Sequence, residues 1–249
     1  MKKVFFRFYE ELNDHLPLLK RKVRFEVDYM LPSSVKDMIE AMGVPHTEID
    51  LILVNGYSVG FDYIIKEEDN ISVYPEFESF DVTKIQRLRP EPLRDPKFIL
   101  DVHLGKLARY MRLLGFDTLY RNNYSDDEIV KIADDEKRTV LTRDKGILKR
   151  NDVNRGYWLR STDAKKQIEE VINRFQLGVR IKEFSRCISC NGKLKSIEKE
   201  NVLERIPPRV KLDYTEFFIC ADCDKIYWMG THYDSMKVFV GQIKKDLGD

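Results

Sequence analysis

The chain has 249 residues, 43% of them apolar and 34% charged, with a formal net charge of +1. That apolar content excludes an intrinsically disordered chain, the near-neutral balance excludes a whole-protein basic field as the grip on nucleic acid, and the length allows more than one domain of roughly 100 to 150 residues. No run approaches the roughly 20 uninterrupted apolar residues of a membrane helix, and Met1-Lys2-Lys3 before Val4-Phe5-Phe6 is too short a lead for a secretion signal, so no membrane partner and a cytoplasmic location are expected.

Residues 1–81 read as a β-grasp unit. Val4 to Tyr9 is an apolar strand, Val23-Arg24-Phe25-Glu26-Val27-Asp28 alternates with the period of a half-buried strand, and Asn13 to Arg21 makes a wide connection between them. Ser33 or Ser34 caps a helix whose buried stripe is Val35, Met38, Ile39 and Met42, and Gly43 with Pro45 ends it. Leu51 to Val54 is a buried strand closed by the Asn55-Gly56 turn, and Ile71 to Tyr74 before Pro75 is the last strand. Residues 82–96 hold three prolines and many charges without an apolar period, and read as a linker.

Over residues 97–180 strands alternate with helices, the signature of a parallel sheet with crossover helices. Phe98-Ile99-Leu100 runs into Asp101, and Leu104, Leu107, Ala108, Met111 and Leu114 mark a helix ended by Gly115. Thr118 to Tyr120 is a short strand, and Ser125 with Glu128 forms a capping box opening a helix through Ile129, Ile132 and Ala133. Thr139 to Thr142 is the third strand and leads into Arg143-Asp144. Tyr157 to Leu159 is the fourth, and Asp163 caps a helix carrying Ile168, Val171, Ile172 and Phe175. Residues 181–249 carry all four cysteines.

Ligands of open α/β sheets bind beyond the carboxyl ends of the strands, and acids stand there: Asp101 after the first strand, Asp144 after the third, and Asp126, Asp127 and Glu128 at the helix reached from the second. Carboxylates brought together repel unless a cation neutralises them, and an all-oxygen donor set favours Mg²⁺ or Mn²⁺. Such a site activates water and stabilises the departing oxygen of a phosphodiester. Asp126 taken alone is equally a helix cap. Lys106, Arg109 and Arg112 on the first helix, and Arg143 beside Asp144, are candidate phosphate donors, with a solvated helix face as the alternative for each. His103 reads as a helix-start residue without a catalytic role, with a metal ligand or proton shuttle as the alternative.

Cys187 and Cys190, then Cys220 and Cys223, form two C-x-x-C pairs, which read as a metal site rather than two disulfides. Each tight turn brings two sulfurs onto one edge of a tetrahedron, and four thiolates close zinc's shell, so the zinc is structural. Between Cys190 and Cys220 lie 29 residues, more than a zinc ribbon usually has, to be absorbed by a hairpin or disordered insertion around Lys193 to Lys211. His232 is read as packing near the ribbon rather than as a substitute ligand.

Phe98-Ile99-Leu100-Asp101, the run Leu104 to Asp117, Asp126-Asp127-Glu128, Leu141-Thr142-Arg143-Asp144 and the paired C-x-x-C together resemble the Mut7-C RNase domain, a PIN-like nuclease fold joined to a zinc ribbon. The resemblance spans about residues 97 to 240 and implies metal-dependent cleavage of RNA with Asp101, Asp126 to Glu128 and Asp144 as the acids. PIN-like relatives often carry Asp-Glu-Asn after the first strand, where this chain has Asp101-Val102-His103. A binding module that holds RNA or protein without cutting is the alternative. The first 80 residues resemble the ubiquitin-like domain fused to Mut7-C, related to sulfur carriers that need a free Gly-Gly tail. Here the segment ends Glu76-Phe77-Glu78-Ser79 and continues, so the expectation is a protein or RNA partner, or packing on the nuclease, rather than sulfur transfer.

Overall fold

The computed structural model describes residues 1–75 and 96–246, so the expected linker at 82–96 lies, apart from Pro96, outside the described residues. Two compact units account for the chain: Met1–Asp95 with Thr142–Trp158, and Pro96–Leu141 with Leu159–Asp249. Among the described residues no helix is long and apolar enough to cross a membrane.

The amino-terminal part is the expected ubiquitin-like β-grasp. It comprises β1 (Lys2–Phe8), β2 (Phe25–Tyr29), α1 (Val35–Ala41), β3 (Ile49–Val54), β4 (Tyr57–Ser58) and β5 (Asn70–Pro75). The sheet order is β2-β1-β5-β3-β4. β1 runs parallel to β5, with Phe6 opposite Ile71, and antiparallel to β2. Period-two alternation in β1 sends Val4, Phe6 and Phe8 into the core, where Val35 and Ile39 of α1 cover them. Of the two candidate caps, Ser34 accepts the Asp37 amide. Two 3-10 turns, Glu10–His15 and Leu18–Lys20, fill the wide connection. β4, too short to show a period, was not expected.

Beyond residue 95 the strands and α-helices run β6 (Phe98–Leu100), α2 (Gly105–Leu113), β7 (Thr118–Leu119), α3 (Asp126–Asp135), β8 (Thr139–Thr142), α4 (Lys145–Leu148), β9 (Gly156–Trp158), α5 (Ala164–Arg174), β10 (Leu194–Ile197), α6 (Pro208–Asp213), β11 (Phe217–Cys220), β12 (Ile226–Trp228) and α7 (Thr231–Asp246). In the second unit β6 lies between β7 and β8 and runs parallel to both, Phe98 facing Thr118 and Thr139. Its residues are buried throughout, as a central strand covered on both faces requires. Gly115 ends α2 at φ +91, and any Cβ there would collide with the Lys182 carbonyl. The Leu113 and Leu114 carbonyls instead receive the Phe184 and Lys182 amides, so the chain after α5 packs against the end of α2.

The long spacing between the cysteine pairs is ordered, not a simple hairpin. β10, a 3-10 helix (Lys199–Arg205) and α6 lead into β11, and Val202, Ile206 and Phe217 form a small core of their own. β10-β11-β12 is an antiparallel sheet with Leu194 opposite Cys220 and Phe217 opposite Trp228.

Contacts group the segment Thr142–Trp158 with Met1–Asp95. Hydrogen bonds explain the grouping: His46 Nε2 lies 3.0 Å from the Val153 carbonyl, Lys149 Nζ donates to the Glu40 carbonyl at 2.8 Å, and the Trp158 amide donates to Glu48 Oε1 at 2.6 Å.

Candidate functional site

The two knuckles bring the four sulfurs together. At the first, the Cys187 amide donates to the Gly192 carbonyl at 2.7 Å and Asn191 takes a left-handed conformation at φ +75; at the second, the Cys220 amide donates to the Lys225 carbonyl at 2.9 Å. A Cβ at Gly192 would stand 2.7 Å from Cys220 Sγ, so the turn admits only glycine. Four thiolates around zinc at about 2.3 Å place sulfurs about 3.8 Å apart. Here Cys187 and Cys223 sulfurs lie 3.6 Å apart, those of Cys190 and Cys220 lie 3.3 Å apart, and all four fall within 4.8 Å. The quartet fits a tetrahedral ion. Burial pushes the Cys190 and Cys223 thiols up; at Cys187 burial is outweighed by hydrogen bonds from the Tyr227 hydroxyl, 3.0 Å away, and from nearby amides, which bring it to about 7. The side chain of His232 is outside what the structure describes.

The first knuckle is fastened to the parallel sheet. Arg112 is 3% exposed, and its guanidinium donates to the carbonyls of Thr118 at 2.9 Å, Ile188 at 3.1 Å and Ser189 at 2.9 Å. It therefore serves the interior, and neither the phosphate grip nor the solvated face describes it. Asn191 Oδ1 accepts the Thr118 amide at 2.9 Å, while Asn191 Nδ2, Arg138 and Arg186 all donate to Asp117. Burial pushes the Asp117 carboxyl up, but the hydrogen bonds from Arg138 and Asn191 and the two guanidinium charges hold it below its ordinary value. A carboxyl depressed in the folded state stabilises above its unfolded pKa and loses that contribution as pH falls through the folded one. Asp117→Asn should accordingly lower the melting temperature near neutral pH, and the gap to the wild type should narrow below about pH 4.

The acids have unequal duties. Asp101 ends β6, is 6% exposed, and its amide donates to the Leu141 carbonyl at 3.1 Å. Leu100 faces Leu141, so β6 and β8 release the chain at one sheet edge, Asp101 directly after the first and Asp144 soon after the second. Asp144 caps α4, its Oδ1 accepting the Gly146 amide at 2.7 Å. Asp126 and Asp127 are exposed in the first turn of α3. Glu128 turns back to complete the capping box, and the Ser125 amide and hydroxyl hold its carboxyl below the ordinary value. Lys106, Arg109, Arg143 and His103 are exposed. Among the described residues the cysteines are the one set of three or more metal-ligating side chains whose ligand atoms come within 4.8 Å of one another.

Tyr227, Asn191 and Asp117 were missed by sequence reasoning, since their partners lie on other elements and no spacing marks them.

A family model described as the Mut7-C RNAse domain matches residues 96–240, and one described as Mut7-C ubiquitin matches residues 1–81. No curated protein matches the chain. Two solved structures of small archaeal modifier protein 1 from Haloferax volcanii are similar to 31% of it at 14% identity, one over 100% of its own length with a TM-score of 0.26, the other over 99% with 0.25. At those values the likeness carries no weight.

Proposed function

Because the chain belongs to the Mut7-C RNAse domain family and carries a Mut7-C ubiquitin domain at residues 1–81, we propose that it is a metal-dependent ribonuclease that hydrolyses RNA phosphodiester bonds beyond β6 and β8. The observation that supports this reading is the parallel pairing of those two strands, each followed by an acid. Mg²⁺ takes one or two carboxylates and keeps several waters, a demand that Asp101 and Asp144 meet in donor type. Bound there, the cation would supply an activated water and stabilise the departing oxygen.

The chain's own groups have distinct parts. Burial limits the rotation of Asp101, and Asp144 keeps one oxygen on Gly146 while the other remains for a ligand. Asp126 and Asp127 add negative charge at the head of α3. Lys106, Arg109 and Arg143 are the exposed donors for RNA phosphates, a local basic set in a chain whose net charge is only +1. The cysteine quartet holds zinc as a structural ion, and four unpaired thiols suit a reducing cytoplasm. A protein partner for the ubiquitin-like domain completes the reading.

Degradation of a labelled RNA with added Mn²⁺ or Mg²⁺ is the test. Wild-type protein is expected to cut, chelation to stop it, and Asp101→Asn and Asp144→Asn each to lower the rate by at least about 100-fold. Asparagine is as good a helix cap as aspartate, so Asp144→Asn keeps the α4 turn. Undiminished cutting by both variants would remove the site assignment. The second reading, a non-cutting RNA- or protein-binding module, is favoured by Val102 and His103 standing where related nucleases place further polar ligands, and RNA binding without any cleavage would establish it.

A further inference from the structure

We propose that the ubiquitin-like domain sets the position of Asp144 through Glu48 and Trp158, which makes these two residues positioning residues of the ribonuclease site. The inference rests on the ribonuclease reading and adds a role for the amino-terminal domain.

Glu48 ends the 3-10 turn His46–Glu48 ahead of β3, and its side chain is 1% exposed. A carboxylate so buried must be partnered. Oε2 lies 2.9 Å from His15 Nε2, and Oε1 accepts the Trp158 amide at 2.6 Å. Trp158 passes the constraint on. Its Nε1–H donates to the Arg143 carbonyl at 3.2 Å, Lys145 Nζ stands 4.0 Å from its ring centroid, and the ring packs on His15 with centroids 5.1 Å apart. Arg143 and Lys145 flank Asp144 in the chain, so one indole holds both neighbours of the acid.

A second tether closes the far end of the same segment. His46 bridges Glu40 Oε1, 2.6 Å from Nδ1, and the Val153 carbonyl, 3.0 Å from Nε2; Lys149 donates to the Glu40 carbonyl and Lys36 to Asn151 Oδ1. An apolar patch would have joined the same surfaces without the cost of burying a polar carboxyl group. What Glu48 adds, by accepting the Trp158 amide, is a fixed orientation of the Trp158 backbone, and with it a fixed path for residues 143–146.

Trp158→Phe and Glu48→Gln test this in the full chain. Phenylalanine keeps an aromatic face for Lys145 and His15 but has no N–H for Arg143. Two readouts are taken: Mn²⁺-dependent cleavage of labelled RNA, and amide hydrogen exchange at residues 143–146. Trp158→Phe is expected to lower kcat about tenfold with the KM for RNA unchanged, to raise the Mn²⁺ concentration for half-maximal rate, and to speed exchange at Asp144–Gly146 while β6 and α2 stay protected. Glu48→Gln, which can still accept the Trp158 amide, should stay near wild type where Glu48→Ala does not. Unchanged exchange and unchanged kcat in Trp158→Phe would overturn the proposal. If the wild type cuts no RNA while Trp158→Phe still loosens 143–146, the ribonuclease reading fails and the tether stands.

Discussion

A Cys220→Ser chain is expected to fail to bind the zinc that the four cysteines are proposed to hold and, without the ion, to lose the ordered β10-β11-β12 sheet. Among the described residues, the apolar core that the sheet covers has Val202, Ile206 and Phe217 inside, with Ile197, Val210, Tyr214, Ile226 and Trp228 half-buried around it. So small a core does not hold a fold by itself. A structural zinc contributes on the order of 10 to 16 kcal/mol of apparent binding energy near neutral pH, and most of that is folding energy of the strands that carry its ligands. Cys220 is the severest position because it is buried at the end of β11, opposite Leu194 and against the Gly192 turn. Zinc released per chain, read with a colorimetric chelator, and amide protection of β10 to β12 give the check. Full protection after the metal is stripped would show that the sheet stands without it. Acid works in the same direction as the substitution, since protons compete with the metal for all four sulfurs.

The second large effect is expected at Arg112. Arg112→Met keeps the aliphatic stem and deletes the guanidinium, leaving the Thr118, Ile188 and Ser189 carbonyls without their donor. Buried acceptors stripped of a charged partner cost about 3 to 5 kcal/mol in total. Arg109→Met, one turn earlier on the exposed face, is the control and should stay within about 0.5 kcal/mol. Denaturant midpoints of the two variants decide the matter. Equal midpoints would mean that Arg112 carries no structural load, and a loss of RNA cleavage in Arg112→Met with its stability intact would return it to the phosphate-binding set.

Legibility differed by range along the chain. Local signals were readable: Ser34, Ser125 and Asp163 cap the helices expected of them, Asn55-Gly56 closes β3, and the cysteine spacing assembles one cluster. Arg112 was not, because helical spacing shows only that it adjoins the face of Ala108 and Met111, while its acceptors at 188 and 189 lie 76 and 77 residues away. Nor were the hydrogen bonds linking Val153 and Trp158 to His46 and Glu48, 107 and 110 residues away. The acids were legible as strand-end positions; the caps that Glu128 and Asp144 form were foreseeable from helix chemistry, but how a cation would share them was not.

The knuckle around Cys187 and Cys190 lends β7 more than a neighbour: Asn191 supplies the acceptor for the Thr118 amide, and the Ile188 and Ser189 carbonyls give the Arg112 side chain its seat. Oxidation or stripping of those thiols would thus unhook the outer edge of the parallel sheet as well as the tail. A metal ion held by the four sulfurs would work as a removable rivet between the two, and its removal would leave the sheet frayed on that side.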